Sequence, residues 1–136
     1  MVLQVELVSP ERGLWSGEAD MVVARTTDGE IAFLTGHVSF VGALGIGRVV
    51  IRPVGEGTDE VAAVHGGFVE VKADKVTILS DVAEMAPTID AERARTAESR
   101  AKEALRDAAA DRADEHQAAL QRAEVRIAVV ETLATR

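Results

Sequence analysis

The stretch Asp28-Gly29-Glu30-Ile31-Ala32-Phe33-Leu34-Thr35-Gly36-His37-Val38-Ser39-Phe40 decides the fold. Asp28-Gly29 reads as a turn pair, because glycine takes positive φ at no steric cost. Ile31 to Leu34 is apolar at every position, the pattern of a strand buried on both faces. Gly36 breaks the run, and His37 sits at the tip before the apolar stretch Val38 to Leu44 resumes. The expectation is two buried arms, with Glu30 and His37 at their ends.

Outward from this stretch, Val2 to Ser80 keeps a period of about two with glycine punctuation. Leu3, Val5 and Leu7 share one face of a first strand, and Ser9-Pro10-Glu11-Arg12-Gly13 supplies a turn. Leu14 to Gly17 reads as a short segment of its own, with Trp15 as a core or edge anchor, and Ala19 to Thr27 as a second long strand. Gly42, Gly45 and Gly47 read as a turn with close backbone approach. A dinucleotide cradle would need a helix to open straight after them, and a strand, Arg48 to Arg52, follows instead. Val61 to His65 is a strand, Gly66-Gly67 a turn or bulge, and Phe68 to Val71 another strand with Phe68 facing the core. Lys75 to Ser80 closes the series. Short strands without intervening helices predict an antiparallel sandwich or flattened barrel.

The pattern changes at Asp81. Residues 81–87 read as a linker, and from Thr88 to Arg136 there is no Gly or Pro. Ala94, Ala97, Ala101, Ala104 and Ala108 form one helical seam, and His116, Leu120, Ala123, Ile127, Val130 and Ala134 form a second. The charged stretch Asp111 to Glu115 interrupts the register, which predicts two helices of about 20 residues folded as a hairpin. The fold class is therefore α+β, with a strand domain over residues 1–86 and a helical domain over 87–136. Five alanine methyls, at about 0.8 kcal/mol per buried CH2-sized group, stabilise such a seam by a few kcal/mol at most. Ordering a connecting turn costs about 1–2 kcal/mol per residue. The hairpin is thus expected either to fold back or to open into one long helix.

Charge excludes one class of partner. Residues 1–88 hold 13 acidic and 6 basic side chains, and residues 89–136 hold 10 and 9 without a basic stripe, so a nucleic acid would be repelled. The absence of cysteine excludes disulfides and thiolate metal sites. His37, His65 and His116 lack metal-ligand spacing, and His116 reads as a packing residue on its seam. Ser39 and His37 lie two apart on one strand, which gives no nucleophile–base pair, so a small hydrolase has no supporting constellation. Residues 1–6 lack the basic and apolar regions of a signal peptide, and no run approaches 18 apolar residues. One cluster has chemical promise. Asp90 and Arg93, three apart, share a helix face beside Glu84, Ile89 and Ala94. Arg93 could meet a phosphate while a carboxylate accepts from an adenine amino group or a ribose hydroxyl. The same pair also reads as an intrahelical ion pair.

The opening stretch resembles the Gly-Glu…Gly-His segment of the epsilon subunits of bacterial F-type ATP synthases. Val5 to Gly17, Gly66 to Val71, Val76 to Asp81 and the alanine-rich tail extend the likeness over nearly the whole chain, with departures at Ala32 and Phe40. The resemblance implies a non-catalytic rotor subunit on the cytoplasmic side of the bacterial inner membrane, needing no cofactor. Its strand domain would bind the gamma subunit and the c ring through Gly29, Glu30, His37 and Val38, with Glu30 and His37 in one rim. Its helical tail would reach the alpha/beta catalytic head and hinder ATP hydrolysis. Glu84, Ile89, Asp90, Arg93 and Ala94 resemble the [IL]-D-x-x-R-A nucleotide-sensing motif of some members, with Arg122 and Arg126 joining them. ATP is thereby implied as a regulatory ligand. Such members carry further arginines where this chain has Val129 and Thr132. The alternative is a stand-alone nucleotide-binding sensor or adaptor without a rotor role.

Overall fold

A computed structural model describes residues 2–55, 57–107 and 112–134, with side chains to Thr132. Seven strands precede two helices: β1 Leu3–Val8, β2 Gly13–Thr26, β3 Gly29–Leu34, β4 Phe40–Pro53, β5 Glu60–Lys72, β6 Lys75–Leu79, β7 Ala83–Met85, then α1 Ala91–Asp107 and α2 Ala113–Ala134. A 3-10 turn, Ala86–Thr88, joins the two parts. The architecture is the expected α+β: a flattened barrel of strands followed by a helical hairpin.

Strands hydrogen-bond in the order β1-β6-β5-β4-β2-β3, and β1 also pairs β2, which closes a ring. The first half of β2 pairs β1, and its second half pairs β3 and β4. Leu14 to Gly17 is therefore no separate segment but part of one 14-residue strand. The β1–β6 pair is parallel, so the barrel is not purely antiparallel. Leu3, Val5 and Leu7 alternate into the core with Val22, Phe33, Ile51, Val69, Val76 and Ile78, and Trp15 packs half-buried against them.

Four expectations about the strands are corrected. β3 is an edge strand, and only Phe33 is buried while Glu30, Ala32 and Leu34 are exposed, so its apolar run is not covered on both faces. The hairpin loop before it is Thr27-Asp28, closed by the Thr26–Gly29 pair, and Gly29 takes φ +130 as the strand begins. Gly42, Gly45 and Gly47 lie inside the continuous β4 rather than in a turn. A Cβ at Gly42 would meet the Phe40 ring at 2.7 Å and one at Gly47 the Arg25 side chain at 2.7 Å, so these glycines make room for neighbours. Gly66-Gly67 likewise divides nothing: β5 runs through it and, with β4, turns a corner there. Before the corner Ala62 and Val64 face the core, and after it Val69 and Val71 do. This change of parity turns Phe68 outward, 59% exposed, against the expectation of a core residue.

Residues 81–87 are not a bare linker, since Ala83–Met85 pairs antiparallel with Ala62–Val64. In the hairpin, Ala94, Ala101 and Ala123 are buried, with Ala97, Ala104, His116 and Leu120 partly so. The break between the helices falls before Ala113, so Asp114 and Glu115 belong to the first turn of α2, where acids suit the helix dipole. Ala108, Asp111 and the side chain of Ala134 lie outside the described residues.

The corner of β5 sets a test. A Cβ at Gly67, where φ is +121, would lie 2.0 Å from the Leu79 carbonyl oxygen. Gly67→Ala is expected to cost about 3 kcal/mol or more in chemical denaturation. Gly57→Ala, with nothing within 4 Å, should stay within about 0.5 kcal/mol.

Candidate functional site

The β7 strand, the 3-10 turn, the start of α1 and one face of α2 enclose a cavity of about 430 Å3, within the range of small-ligand sites. Glu84, Ile89, Asp90, Arg93, Ala94 and Arg126 line it, together with Thr88 and Ala97. Six of the seven residues named for a nucleotide thus meet in one place; Arg122 lies one turn before Arg126 on α2, outside the lining.

Local rules place the near wall. Pro87 opens the 3-10 turn, and Thr88 Oγ1 donates to the Met85 carbonyl at 2.7 Å. Asp90 caps α1: its Oδ1 accepts from the Arg93 backbone N–H at 3.0 Å. The anticipated Asp90–Arg93 ion pair is therefore replaced by a backbone cap, because the carboxylate is shorter-armed and closer to the orphan N–H. Among the described residues the Arg93 guanidinium makes no hydrogen bond or ion pair, which leaves it available to an anion at the cavity mouth.

The far wall is a clasp across the two halves of the chain. Arg126 Nε of α2 donates to Glu84 Oε1 of β7 at 2.6 Å. His65 Nε2 of β5 lies 3.2 Å from the same oxygen. Burial, followed by the nearby Arg126 charge, lowers the His65 pKa below the usual histidine value, against the opposing pull of Glu84. Neutral His65 then donates from Nε2 to Glu84. Beside the clasp an apolar cluster holds α2 to the strands, with Val129 packed on Val61, Ala63 and Ala86 and flanked by Val125, Val50 and Ile89.

His65 and Val129 were not singled out for this role by the sequence. A signal for the first exists: Val61-Ala62-Ala63-Val64 is apolar throughout and buried on both faces, because the core covers one side and α2 the other. For the second, Val125–Val129 and Arg122–Arg126 are adjacent i, i+4 rows beside the seam facing α1.

The contact residues expected on the strands do not form one rim. Glu30 is the second residue of β3 and His37 follows its far end, so most of the strand separates them, at about 3.3 Å per residue. Glu30 borders a groove with Arg25, Arg48 and Glu124 of α2. His37 stacks edge-on with Phe33 at 5.0 Å, and its neighbour Gly36 donates its N–H to Asp74 at 2.7 Å. Val38 and Val41 beyond it are 74% and 71% exposed. On the outer face Val8, Leu79, Phe68 and Ala43 are register partners across four strands, which forms an apolar row.

The family model described as ATP synthase, Delta/Epsilon chain, beta-sandwich domain matches residues 2–86. An ATP synthase epsilon chain of Streptomyces griseus is 49% identical over 112 residues, 82% of this chain and 90% of that one. One of Thermobifida fusca is 53% identical over 110 residues, 78% and 80% of the two chains. In fold, the chain is similar to one in the Euglena gracilis mitochondrial ATP synthase (OSCP/F1/c-ring, rotational state 1), with TM-score 0.81 and 22% identity over 99% of this chain and 82% of that one. A strand barrel that the family model spans, a helical pair behind it and near-half identity to these relatives lead to one conclusion: the chain belongs to the ATP synthase epsilon chain family.

Proposed function

We propose that this epsilon chain is a non-catalytic subunit of the central stalk, divided into a strand domain of residues 1–86 that grips the rotor and a helical domain of residues 87–136 that regulates it. The observation that carries the reading is the way the helices are held. α1 packs on α2, and among the described residues α2 meets the strands through Val125, Val129 and the Glu84–Arg126 pair. Burying two valines contributes about 1.5–3 kcal/mol each at most, and an ion pair that keeps 27% and 30% of its side-chain surface exposed adds about 1 kcal/mol. So small an attachment permits the helices to leave and reach toward the alpha/beta head without disturbing the barrel.

The contacts follow from exposure. The apolar row Val8–Leu79–Phe68–Ala43, continued by Val41 and Val38 beside His37, is the face offered to the gamma subunit. Gly29 and Glu30, at the other end of β3, are offered to the polar loops of the c ring. None of the described helices is long and apolar enough to cross a membrane. Association with the cytoplasmic face of the inner membrane then runs through the complex. Deleting residues 88–136 is expected to leave the subunit in the assembled synthase and to raise its ATPase activity severalfold. Unchanged hydrolysis by the deleted complex would reduce the helices to a brace.

The cavity supports ATP as a regulatory ligand. Arg93, with no partner among the described residues, faces an acceptor-rich phosphate chain, and Glu84 and Asp90 offer oxygens to amino and hydroxyl groups. A charge-assisted hydrogen bond contributes about 1.5–3 kcal/mol, so Arg93→Ala is expected to weaken ATP binding about tenfold to a hundredfold in calorimetry. Equal heats for the two proteins would remove the phosphate from this wall. A stand-alone sensor, by contrast, would bind ATP but fail to enter the synthase.

A further inference from the structure

We propose that His65 makes the docking of the helical hairpin proton-linked, so that acid releases α2 from the strands. The inference stands on the geometry of the clasp and is independent of whether a nucleotide binds.

His65 lies on the face of β5 that carries Val61 and Ala63, the residues that receive Val129, so α2 covers it. Its side chain is 3% exposed. Nε2 is directed at Glu84 Oε1, and Nδ1 is buried without a hydrogen-bond partner. The neutral ring suits this setting, because a bare acceptor nitrogen is the less costly group to leave unpaired. A second proton would sit on Nδ1 and bury an N–H donor with no acceptor, which costs about 1–3 kcal/mol in comparable cases. The charged groups facing the ring add to the penalty. Arg126 and Arg122 come from α2, and among the described residues Glu84 of β7 is the one acid opposing them. Its Oε1 is already shared with Arg126 at 2.6 Å. Protonation therefore sets three cations against one carboxylate in a closed space.

Undocking α2 relieves each element of this conflict. Both arginines depart with the helix, Glu84 is freed for the imidazolium, and Nδ1 reaches water. The docked state thus binds fewer protons than the undocked one, and by linkage falling pH shifts the balance toward release. Burial and Arg126 lower the docked His65 pKa, so the effect begins as pH drops through the ordinary histidine value of about 6.5 and levels off below the depressed docked value. If the undocked ring titrates normally, the docking constant falls by up to about tenfold between pH 7.5 and 5.5.

The test is amide hydrogen exchange of the full-length chain, expressed as protection factors so that the intrinsic pH dependence of exchange cancels. Protection of α2 amides around Val125–Val129 should fall severalfold, up to about tenfold, from pH 7.5 to 5.5. Protection in β1 and β6 should not follow it. His65→Gln should abolish the fall, and His116→Gln, which removes the histidine of the helical seam, should retain it. A flat profile in the parent chain, or the same fall in His65→Gln, overturns the proposal. A second reading needs no change at His65: its ring resonances should titrate below about 6.5, and Arg126→Gln should bring them upward. A His65 midpoint above the ordinary value would also overturn it.

Discussion

The interaction on which the molecule's proposed behaviour depends is the seat of α2 on β4, β5 and the 3-10 turn. The barrel buries apolar side chains from six strands around a closed ring of hydrogen bonds, and that core is formed by the strands themselves. The helices depend on the barrel far more than the reverse. α1 contributes alanines to α2, and among the described residues Val125 and Val129 are the α2 side chains that enter the apolar cluster with the strands. Stability is therefore unequally distributed, and the weakest cooperative boundary lies at this seat. An isolated hairpin of alanine-rich helices has little of its own to hold it.

The polar clasp complements the apolar seat in a different way. Two valines fix α2 to the strands but discriminate nothing about conditions. Glu84, placed on a three-residue strand, accepts from Arg126 and His65 at a single oxygen. Partly buried charge pairs of this kind add little net stability, yet leaving one partner unpaired is costly. The clasp is thus better suited to reporting on solution conditions than to strengthening the joint.

The division into strands and helices was legible because each half is dominated by one period: about two up to Ser80, and 3.6 from Asp90 onward. What failed was parity. Phe68 reads as a core residue from its apolar, aromatic character, but the corner at Gly66-Gly67 puts Val69 and Val71 inward and Phe68 outward, a geometry set by pairing with β4 rather than by local sequence. Ile31 to Leu34 failed similarly, since an apolar run cannot announce that its strand sits at an edge of the sheet. The cavity was largely readable because Ile89, Asp90, Arg93 and Ala94 are neighbours in sequence. The clasp was not, because His65 and Arg126 lie 19 and 42 residues from the glutamate they share. β7 escaped notice for the same reason, since three residues carry too little pattern to be told from a linker.

Because the cavity is walled by both halves of the chain, a ligand in it acts on the docking equilibrium itself. Glu84 and Arg126 belong to different halves, so an occupant that needs both binds only the docked form. Mass action then adds about 2.7 kcal/mol to docking at a hundred times the dissociation constant. That is comparable to what the two valines supply, about 3–6 kcal/mol as an upper bound. On the proposed reading, ATP and protons would push the hairpin in opposite directions through one carboxylate: the nucleotide would favour the closed clasp, and a protonated His65 the open one. A stronger apolar seat would make both signals ineffective, because neither could overcome it. On that reading, a limited apolar seat of α2 on the strands is the condition under which either ligand could regulate the subunit.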